Sequence, residues 1–475
     1  MVQIRFGTDG WRGIVDADFT DTNVARVAEA IVAYLYQQTE VNYKQGVVIG
    51  YDNRPSSNGF AKLVAVILTK NDIPVYLSRK TIPTPAVAYA IKEKCLAGGI
   101  MITASHNPPQ YNGIKFIPHY AGPATEDITK VIEEILPVET CSFTAEVESL
   151  PDTVDIFDCG KLYLDCLRRL SVYNNHDKKL RIVVDPMYGS GSGYLEKLLW
   201  ELNHEVIVIH GNEDGKFGSL LPEPKESNLH ELSKAVLANK ADLGIALDGD
   251  ADRFGFIDSN GKYISPNQIY GLMADYIGSK APQKATFART VATTHMIDRV
   301  GESLGLNIIE TPVGFKYIAQ AMLKENAILG AEESGGLGIN QAIPEKDGIT
   351  AGLLLVQVLS RYNGGISEAL EYMHNRYGRL VSKRVDILCS ETEKSRVLVK
   401  LASEPPYQLA ERRIKSVLKI DGLKVVLSDN AWCLIRPSGT ENMIRLYAEA
   451  ESQELLDQIL AEAANYYQLK EKNDD

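Results

Sequence analysis

The chain has 475 residues, a formal net charge of −12, and 45% hydrophobic and 24% charged residues. That length is too great for a single core of about 100–150 residues, and the composition is that of a globular protein, so several domains are expected. The acidic surplus excludes nonspecific nucleic-acid binding, which relies on basic surface, so any anionic ligand must be drawn by local positive charge.

No window reaches the roughly 18 apolar residues of a membrane span, and "MVQIRFGTDGWRG" lacks the pattern of a leader, so the expected location is the cytoplasm. Cys95, Cys141, Cys159, Cys166, Cys389 and Cys433 form no C-x-x-C pair, so neither zinc nor disulfide roles are expected.

From Thr20 the sequence places Val24, Val27, Ile31 and Leu35 on one stripe behind a Thr/Asp start, which predicts a capped amphipathic helix. A buried strand "GVVIGYD", a helix "SSNGFAKLVAVILTKND", a strand "IPVYL", a helix "TPAVAYAIKEKC" and a strand "GGIMIT" follow. The alternation implies a mostly parallel sheet covered on both faces. It restarts near Asp155 with "DCGKLYLDCLRRL", "LRIVVD", "SGYLEKLLWELN", "EVIVIHG", a helix from about Leu229 to Asn239, and "ADLGIALD". A third round begins near Pro266 and runs through "KATFAR", "NIIET", "FKYIAQAMLKEN", "AILGAEES" and "DGITAGLLLVQVLSRY".

After "MHNRYGRL" come short strands, "RVDIL", "KVVLSD", "AWCLIR" and "MIRLYAEA", then a closing helix and the tail "KEKNDD", expected to fray. The fold class is therefore α/β: three tandem α/β units with mixed, mostly parallel sheets plus a C-terminal α+β domain, four domains around a central cleft. The expected boundaries are 1–150, 151–264, 265–378 and 379–475.

In such sheets ligands bind beyond the carboxyl ends of strands. The run "GGIMIT" ends in "ASHNPPQYNGIKF", where a turn carries a hydroxyl, an imidazole, amides and Lys115. After "LGIAL" comes "DGDADRFG", and Asp248, Asp250 and Asp252 so spaced repel one another unless a hard cation sits among them. An EF-hand would need glycine and glutamate where Arg253 and Ser259 stand, so this is not that calcium loop. Carboxylates of this kind suit Mg²⁺, leaving positions for water or phosphate oxygens.

The third unit offers "TPVGFK" and "EESGG", with Gly314, Phe315 and Lys316 in the first, and Glu332 and Ser334 in the second able to grip sugar hydroxyls. In the last domain "RPSGTEN" sets Arg436 beside the hydroxyls of Ser438 and Thr440 and the backbone of Gly439, with Arg445 downstream, a set suited to phosphate. "SGSG" at Ser190 to Gly193 lacks the third glycine and acidic partner of a dinucleotide fingerprint and reads as a strand-to-helix turn.

Taken together, "FGTDGWRG", "TASHNP", "DGDADR", "EESGG" and "RPSGTE" resemble, in order and over the whole chain, the α-D-phosphohexomutases, the superfamily of phosphoglucomutase, phosphomannomutase and phosphoglucosamine mutase. The resemblance implies that Ser105 carries a phosphoryl group whose oxygen joins Asp248, Asp250 and Asp252 around Mg²⁺. It makes Lys115, Arg253 and Arg12 the cationic supports, and Arg436, Ser438, Gly439 and Thr440 the phosphate clamp. The implied reaction interconverts hexose 1-phosphate and hexose 6-phosphate through a hexose 1,6-bisphosphate, which also serves as activator. His106 and Lys346, the latter in "PEKDG", both stand open as the general base.

Gly336 replaces a histidine found in phosphomannomutases and phosphoglucosamine mutases, and Pro344 an arginine that often precedes "EKDG". "TPVGFK" with "EKDG" looks more like the glucose-preferring enzymes, so glucose is the expected sugar, with mannose as a second. The expected partners are small sugar phosphates, with neither nucleic acid nor membrane, and the chain is expected to act as a monomer or homodimer. A sugar 1,6-bisphosphate synthase and a noncatalytic sugar-phosphate sensor stay open as alternatives.

Overall fold

A computed structural model describes residues 3–7, 9–137, 149–171, 178–340, 342–403, 405–438 and 442–469. The tail "KEKNDD", Cys141, Gly439 and Thr440 lie outside the described residues. The chain forms two compact units, one of residues 1–266, 315–330 and 334–368, the other of residues 267–314, 331–333 and 369–475.

In the first unit, strands β1 (Trp11–Ile14), β2 (Val47–Tyr51), β3 (Val75–Ser78), β4 (Gly98–Ile102), β5 (Tyr111–Pro118) and β6 (Val154–Phe157) form one sheet in the order β1-β5-β4-β2-β3-β6. β2 runs parallel to β3 and β4, and β3 to β6, while β5 returns antiparallel on β4. Every residue of β2 and β4 is buried, which is why both read as unbroken apolar runs. Helix Asp21–Gln37 covers the sheet with the expected stripe, Val24, Val27, Ile31 and Leu35 being at most 1% exposed, and Thr20 caps it by accepting from the Asn23 N–H.

Two features depart from the sequence reading. The segment expected as a loop through Phe116 is a loop only to Gln110, because Ile114, Phe116 and Ile117 are apolar enough to pair and bury β5. β6, within the range expected for the second domain, completes the first sheet, a strand too short to show a period of its own.

The second sheet of this unit contains β7 (Arg181–Asp185), β8 (Glu205–Val208), β9 (Leu243–Leu247), β10 (Phe254–Asp258) and β11 (Tyr263–Ile264), ordered β11-β10-β9-β7-β8. β7 is parallel to β8 and β9, and β10 turns back antiparallel on β9 around the aspartate loop. Both sheets therefore place a loop at the end of a buried parallel strand, and these two loops meet.

In the second unit β12 (Thr286–Thr290) pairs parallel with β13 (Asn307–Thr311). Next in the chain come β14 (Leu329–Glu332) and β15 (Gly336–Ile339). The C-terminal sheet comprises β16 (Val381–Leu388), β17 (Gln408–Leu409), β18 (Arg412–Leu418), β19 (Leu423–Leu427), β20 (Trp432–Pro437) and β21 (Met443–Ala450), ordered β16-β21-β20-β19-β18-β17. All its pairings are antiparallel, and helix Gln453–Tyr466 packs Leu456, Ile459 and Leu460 into its core. The whole is four α/β domains with mixed sheets, the last being α+β.

Candidate active site

The first unit brings together Arg12, Ser105, His106, Lys115, Asp248, Asp250, Asp252, Arg253 and Lys346. Ser105 follows β4 and adopts φ +51°, a left-handed conformation uncommon for a residue with a side chain. Its Oγ donates to Asp248 Oδ2 at 2.8 Å and lies 3.3 Å from His106 Nδ1. Gly249 makes the approach of the two loops possible, since a β-carbon there would sit 2.6 Å from the Ser105 carbonyl oxygen.

Asp248, Asp250 and Asp252 are fully buried, and each offers one oxygen within 4.8 Å of the others. Burial first, then the charges of Asp252 and Asp250, push Asp248 well above the ordinary carboxyl range. Asp250 Oδ1 and Asp252 Oδ1 are buried without a hydrogen-bond partner. Carboxylate oxygens stripped of water and left without a hydrogen bond are costly, and a divalent cation satisfies them, so the donor set fits a hard metal ion.

Two lysines offset part of the charge. Lys115 Nζ, on β5, lies 2.8 Å from Asp9 Oδ2, Asp250 Oδ2 and Asp252 Oδ2. Burial would depress this ammonium, but Asp250, Asp252 and Asp9 together hold it well above the ordinary lysine value. Lys346 Nζ lies 2.9 Å from Asp9 and from Asp252, and despite burial these two carboxylates keep it charged. Gly336 leaves room for that side chain: a β-carbon there would meet Lys346 Cγ and Cδ at 3.1 Å. Arg253 Nε stands 3.9 Å from Asp252, and Arg12 Nη1 donates to Asn107 Oδ1 at 2.6 Å. Burial, then Arg253 and Arg12, pull His106 well below its ordinary pKa, so its ring is neutral.

Three residues here escaped the sequence reading. Asp9, inside the quoted "FGTDGWRG", accepts from both lysines. Thr84 Oγ1 donates to Asp250 Oδ2 at 2.5 Å, and Asn107 holds Arg12. Asp9 and Asn107 lie within motifs already singled out, whereas Thr84 opens the expected helix "TPAVAYAIKEKC", observed as Thr84–Lys94, in which no residue was marked for the site.

The remaining candidates are spread over both units. In the first, Phe315 is buried, Ser334 is half-buried, and Lys316 Nζ donates to Glu126 Oε1 at 2.8 Å, so this lysine is tied to a carboxylate. In the second, Gly314 takes φ +126° and Glu332 is buried, its carbonyl accepting from Tyr270 Oη at 2.6 Å. Arg436 on β20 and Arg445 on β21 are direct cross-strand partners, and Arg436 Nε donates to Asp421 Oδ2 at 2.8 Å. Like charges directly opposite are unfavourable in a sheet unless an anion joins them. Ser438 is buried at the end of β20, its N–H bound to the Met443 carbonyl; Gly439 and Thr440 are among the residues not described.

The chain matches four models of phosphoglucomutase/phosphomannomutase domains: α/β/α domain I over residues 3–140, domain II over 161–261, domain III over 265–377, and the C-terminal domain over 395–465. It is 33% identical over 454 residues to a "Probable phosphoglucosamine mutase" of Methanosphaera stadtmanae, covering 96% of each chain. It is 31% identical to a "Phosphoglucomutase/phosphomannomutase" of Thermococcus kodakarensis, covering 94% of this chain and 95% of the other. A crystal structure from Thermus thermophilus that carries a phosphomannomutase name superposes with TM-score 0.84 at 30% identity, over 98% of this chain and 99% of that one.

Proposed function

Because the chain belongs to the phosphoglucomutase/phosphomannomutase family of the α-D-phosphohexomutases, and is an enzyme of the mutase type, we propose that it interconverts hexose 1-phosphate and hexose 6-phosphate through a phosphoserine at Ser105. The observation that carries this reading is the contact of Ser105 Oγ with Asp248 inside a buried carboxylate triad. A serine hydroxyl placed there serves phosphoryl exchange, in which positioning and charge neutralisation do most of the work.

Asp248, Asp250 and Asp252, with an oxygen of phosphoserine, would hold Mg²⁺, which supplies positive charge to the phosphoryl oxygens. Lys115, Arg12 and Arg253 add cations around the same group. The 6-hydroxyl of a hexose 1-phosphate attacks phosphorus; the bond from phosphorus to Ser105 Oγ breaks as the bond to O6 forms. The hydroxyl proton passes to His106, whose ring lies 3.3 Å from the released Ser105 oxygen and can return the proton to it. Lys346, held between Asp9 and Asp252, acts as a cation rather than a base. The resulting bisphosphate turns end for end, and the reverse transfer from its other phosphate restores phosphoserine and leaves the 6-phosphate.

Arg436, Ser438 and Arg445, with Gly439 and Thr440, are the proposed clamp for the non-reacting phosphate; Glu332, Ser334, Gly314, Phe315 and Lys316 are the proposed sugar contacts. Glucose is the sugar favoured by "TPVGFK" and "EKDG"; glucosamine is favoured by the name of the Methanosphaera stadtmanae relative. Glucose, mannose and glucosamine differ at C2, so side-by-side turnover of their 1-phosphates, with Mg²⁺ and a trace of glucose 1,6-bisphosphate as activator, decides between them. Formation of 6-phosphate from at least one of them supports the mutase reading; stoichiometric release of bisphosphate would make the protein a bisphosphate synthase instead. The setting proposed for this chemistry is the cytoplasm. Among the described residues no helix is long and apolar enough to cross a membrane.

A further inference from the structure

Arg54 lies between β2 and helix Ser57–Lys70 and is 3% exposed, and its hydrogen bonds to the serine loop go to backbone carbonyls alone. A guanidinium has five N–H groups, and here all of them are used. Nε donates to Asp52 Oδ2 at 3.0 Å, Nη1 to the carbonyls of Pro108 at 2.7 Å and Tyr111 at 2.9 Å, and Nη2 to those of Ser105 at 2.8 Å and Asn107 at 2.7 Å. The serine loop has turned four carbonyls onto one planar fork, covered by the Phe217 ring 5.0 Å from Cζ.

The other end of the fork closes a ring. Asp52, which orients Arg54, accepts from Thr103 Oγ1 and Ser57 Oγ, each at 2.6 Å, and Thr103 Oγ1 accepts from the Ser105 N–H at 2.8 Å. Both backbone groups of Ser105 are thus tied to the Asp52–Arg54 pair, the N–H through Thr103 and the carbonyl directly. That double tether maintains the left-handed φ of +51° at a residue that is not glycine. The conformation in turn aims Oγ at Asp248.

We propose that Arg54 is the positioning residue for the phosphoryl-carrying serine, fixing the loop from Ser105 to Tyr111 so that Oγ faces the carboxylate triad. This rests on the phosphoserine reading of Ser105. Lysine in its place keeps the charge but has no fork to span carbonyls at both ends of the loop. A shift of about 1 Å in a reacting group costs on the order of 100-fold in rate.

The test compares Arg54→Lys, the core variant Ile67→Ala and Ser105→Ala, each as the full chain, using glucose 1-phosphate, or whichever hexose 1-phosphate the wild type turns over, well below the melting temperature. Expected for Arg54→Lys is a fall in kcat of about 100-fold with KM within about twofold, and an equally slowed single-turnover phosphorylation of Ser105 by the matching 1,6-bisphosphate. Ile67→Ala, a core truncation in helix Ser57–Lys70 outside the loop's hydrogen-bond network, should melt lower yet keep its kcat. An Arg54→Lys enzyme with wild-type kcat, or one whose loss Ile67→Ala reproduces, overturns the positioning role. If Ser105→Ala keeps turnover, the phosphoserine reading itself fails and Arg54's role falls with it, a result distinct from an inactive Ser105→Ala beside a fully active Arg54→Lys.

Discussion

Ser105 Oγ and Asp248 Oδ2, 143 positions apart in the chain, are joined by a 2.8 Å hydrogen bond. One residue closes a strand of the first sheet and the other closes a strand of the second, so the contact is made by two folded domains and by no local segment. The first prediction follows directly. Ser105→Ala removes the hydroxyl but little volume, and turnover should fall by more than about 10³-fold, as for other nucleophile deletions. Calorimetry should still show a cooperative melt.

Asp252 joins two lysines, its Oδ2 lying 2.8 Å from Lys115 and 2.9 Å from Lys346. Removing one member of a buried charge cluster costs about 3–5 kcal/mol, and Asp9 and Asp250 remain to soften the loss. Asp252→Asn should therefore be destabilised by about 3 kcal/mol in urea denaturation. A change near zero would mean that Asp252 is not the junction of the two ammonium groups.

The buried Asp250 and Asp252 oxygens that accept no hydrogen bond predict metal-linked stability. Mg²⁺ should raise the melting midpoint of the wild type, with about 2.7 kcal/mol gained at a hundredfold excess over Kd. Asp248→Asn/Asp250→Asn should lose that response. An equal rise in the double variant would place the ion elsewhere.

Arg436 is held by Asp421 and faces Arg445 across the β20–β21 ladder. Arg436→Ala should raise KM for the sugar phosphate by the equivalent of about 1.5–3 kcal/mol, the range of charged hydrogen bonds. Asp421→Ala should raise it less, since the cation remains and only its orientation is lost. Unchanged KM in both variants would argue against a clamp at this ladder.

How much of this was legible in the sequence depended on distance along the chain. The serine and aspartate loops stood out because each follows an unbroken apolar run, "GGIMIT" and "LGIAL", and buried parallel strands leave that trace. The helix stripe of Val24, Val27, Ile31 and Leu35 was legible for the matching reason, a period near 3.6. Asp9 was not, since its partner Lys346 is 337 positions away and no local pattern links them. Arg54 and Thr84 were missed likewise: one sits in an ordinary strand-to-helix turn, the other at the first position of a helix, and each gains meaning only when a distant loop folds onto it. β5 was hidden inside a segment whose prolines and polar residues suggested a loop, although Lys115 owes its direction to that strand.

The second unit gives a pH prediction. Lys424 is fully buried, its Nζ 2.7 Å from Glu310 and 2.8 Å from His295, over the Trp432 ring and near Glu449. Burial, then Arg289, pull it down to about 8, and the opposing pull of Glu310, whose carboxylate also accepts from Arg289 at 2.6 Å, offsets only part of that. Between that value and the ordinary lysine pKa of about 10.4, the unfolded chain binds a proton that the native chain has released, so stability rises with pH across the window. The melting midpoint of wild type minus that of Lys424→Met should increase from about pH 8 to about pH 10. A difference that shrinks over the same range would contradict it.

The most direct measurement of the central claim is peptide mass spectrometry of the protein after incubation with Mg²⁺ and the 1,6-bisphosphate of the hexose it turns over, followed by a chase with the unlabelled 1-phosphate. A phosphoryl group that appears on Ser105 and leaves during the chase, at a rate matching turnover, is the predicted result. Active protein that never carries phosphate on Ser105, or carries one that the chase leaves in place, would contradict the account.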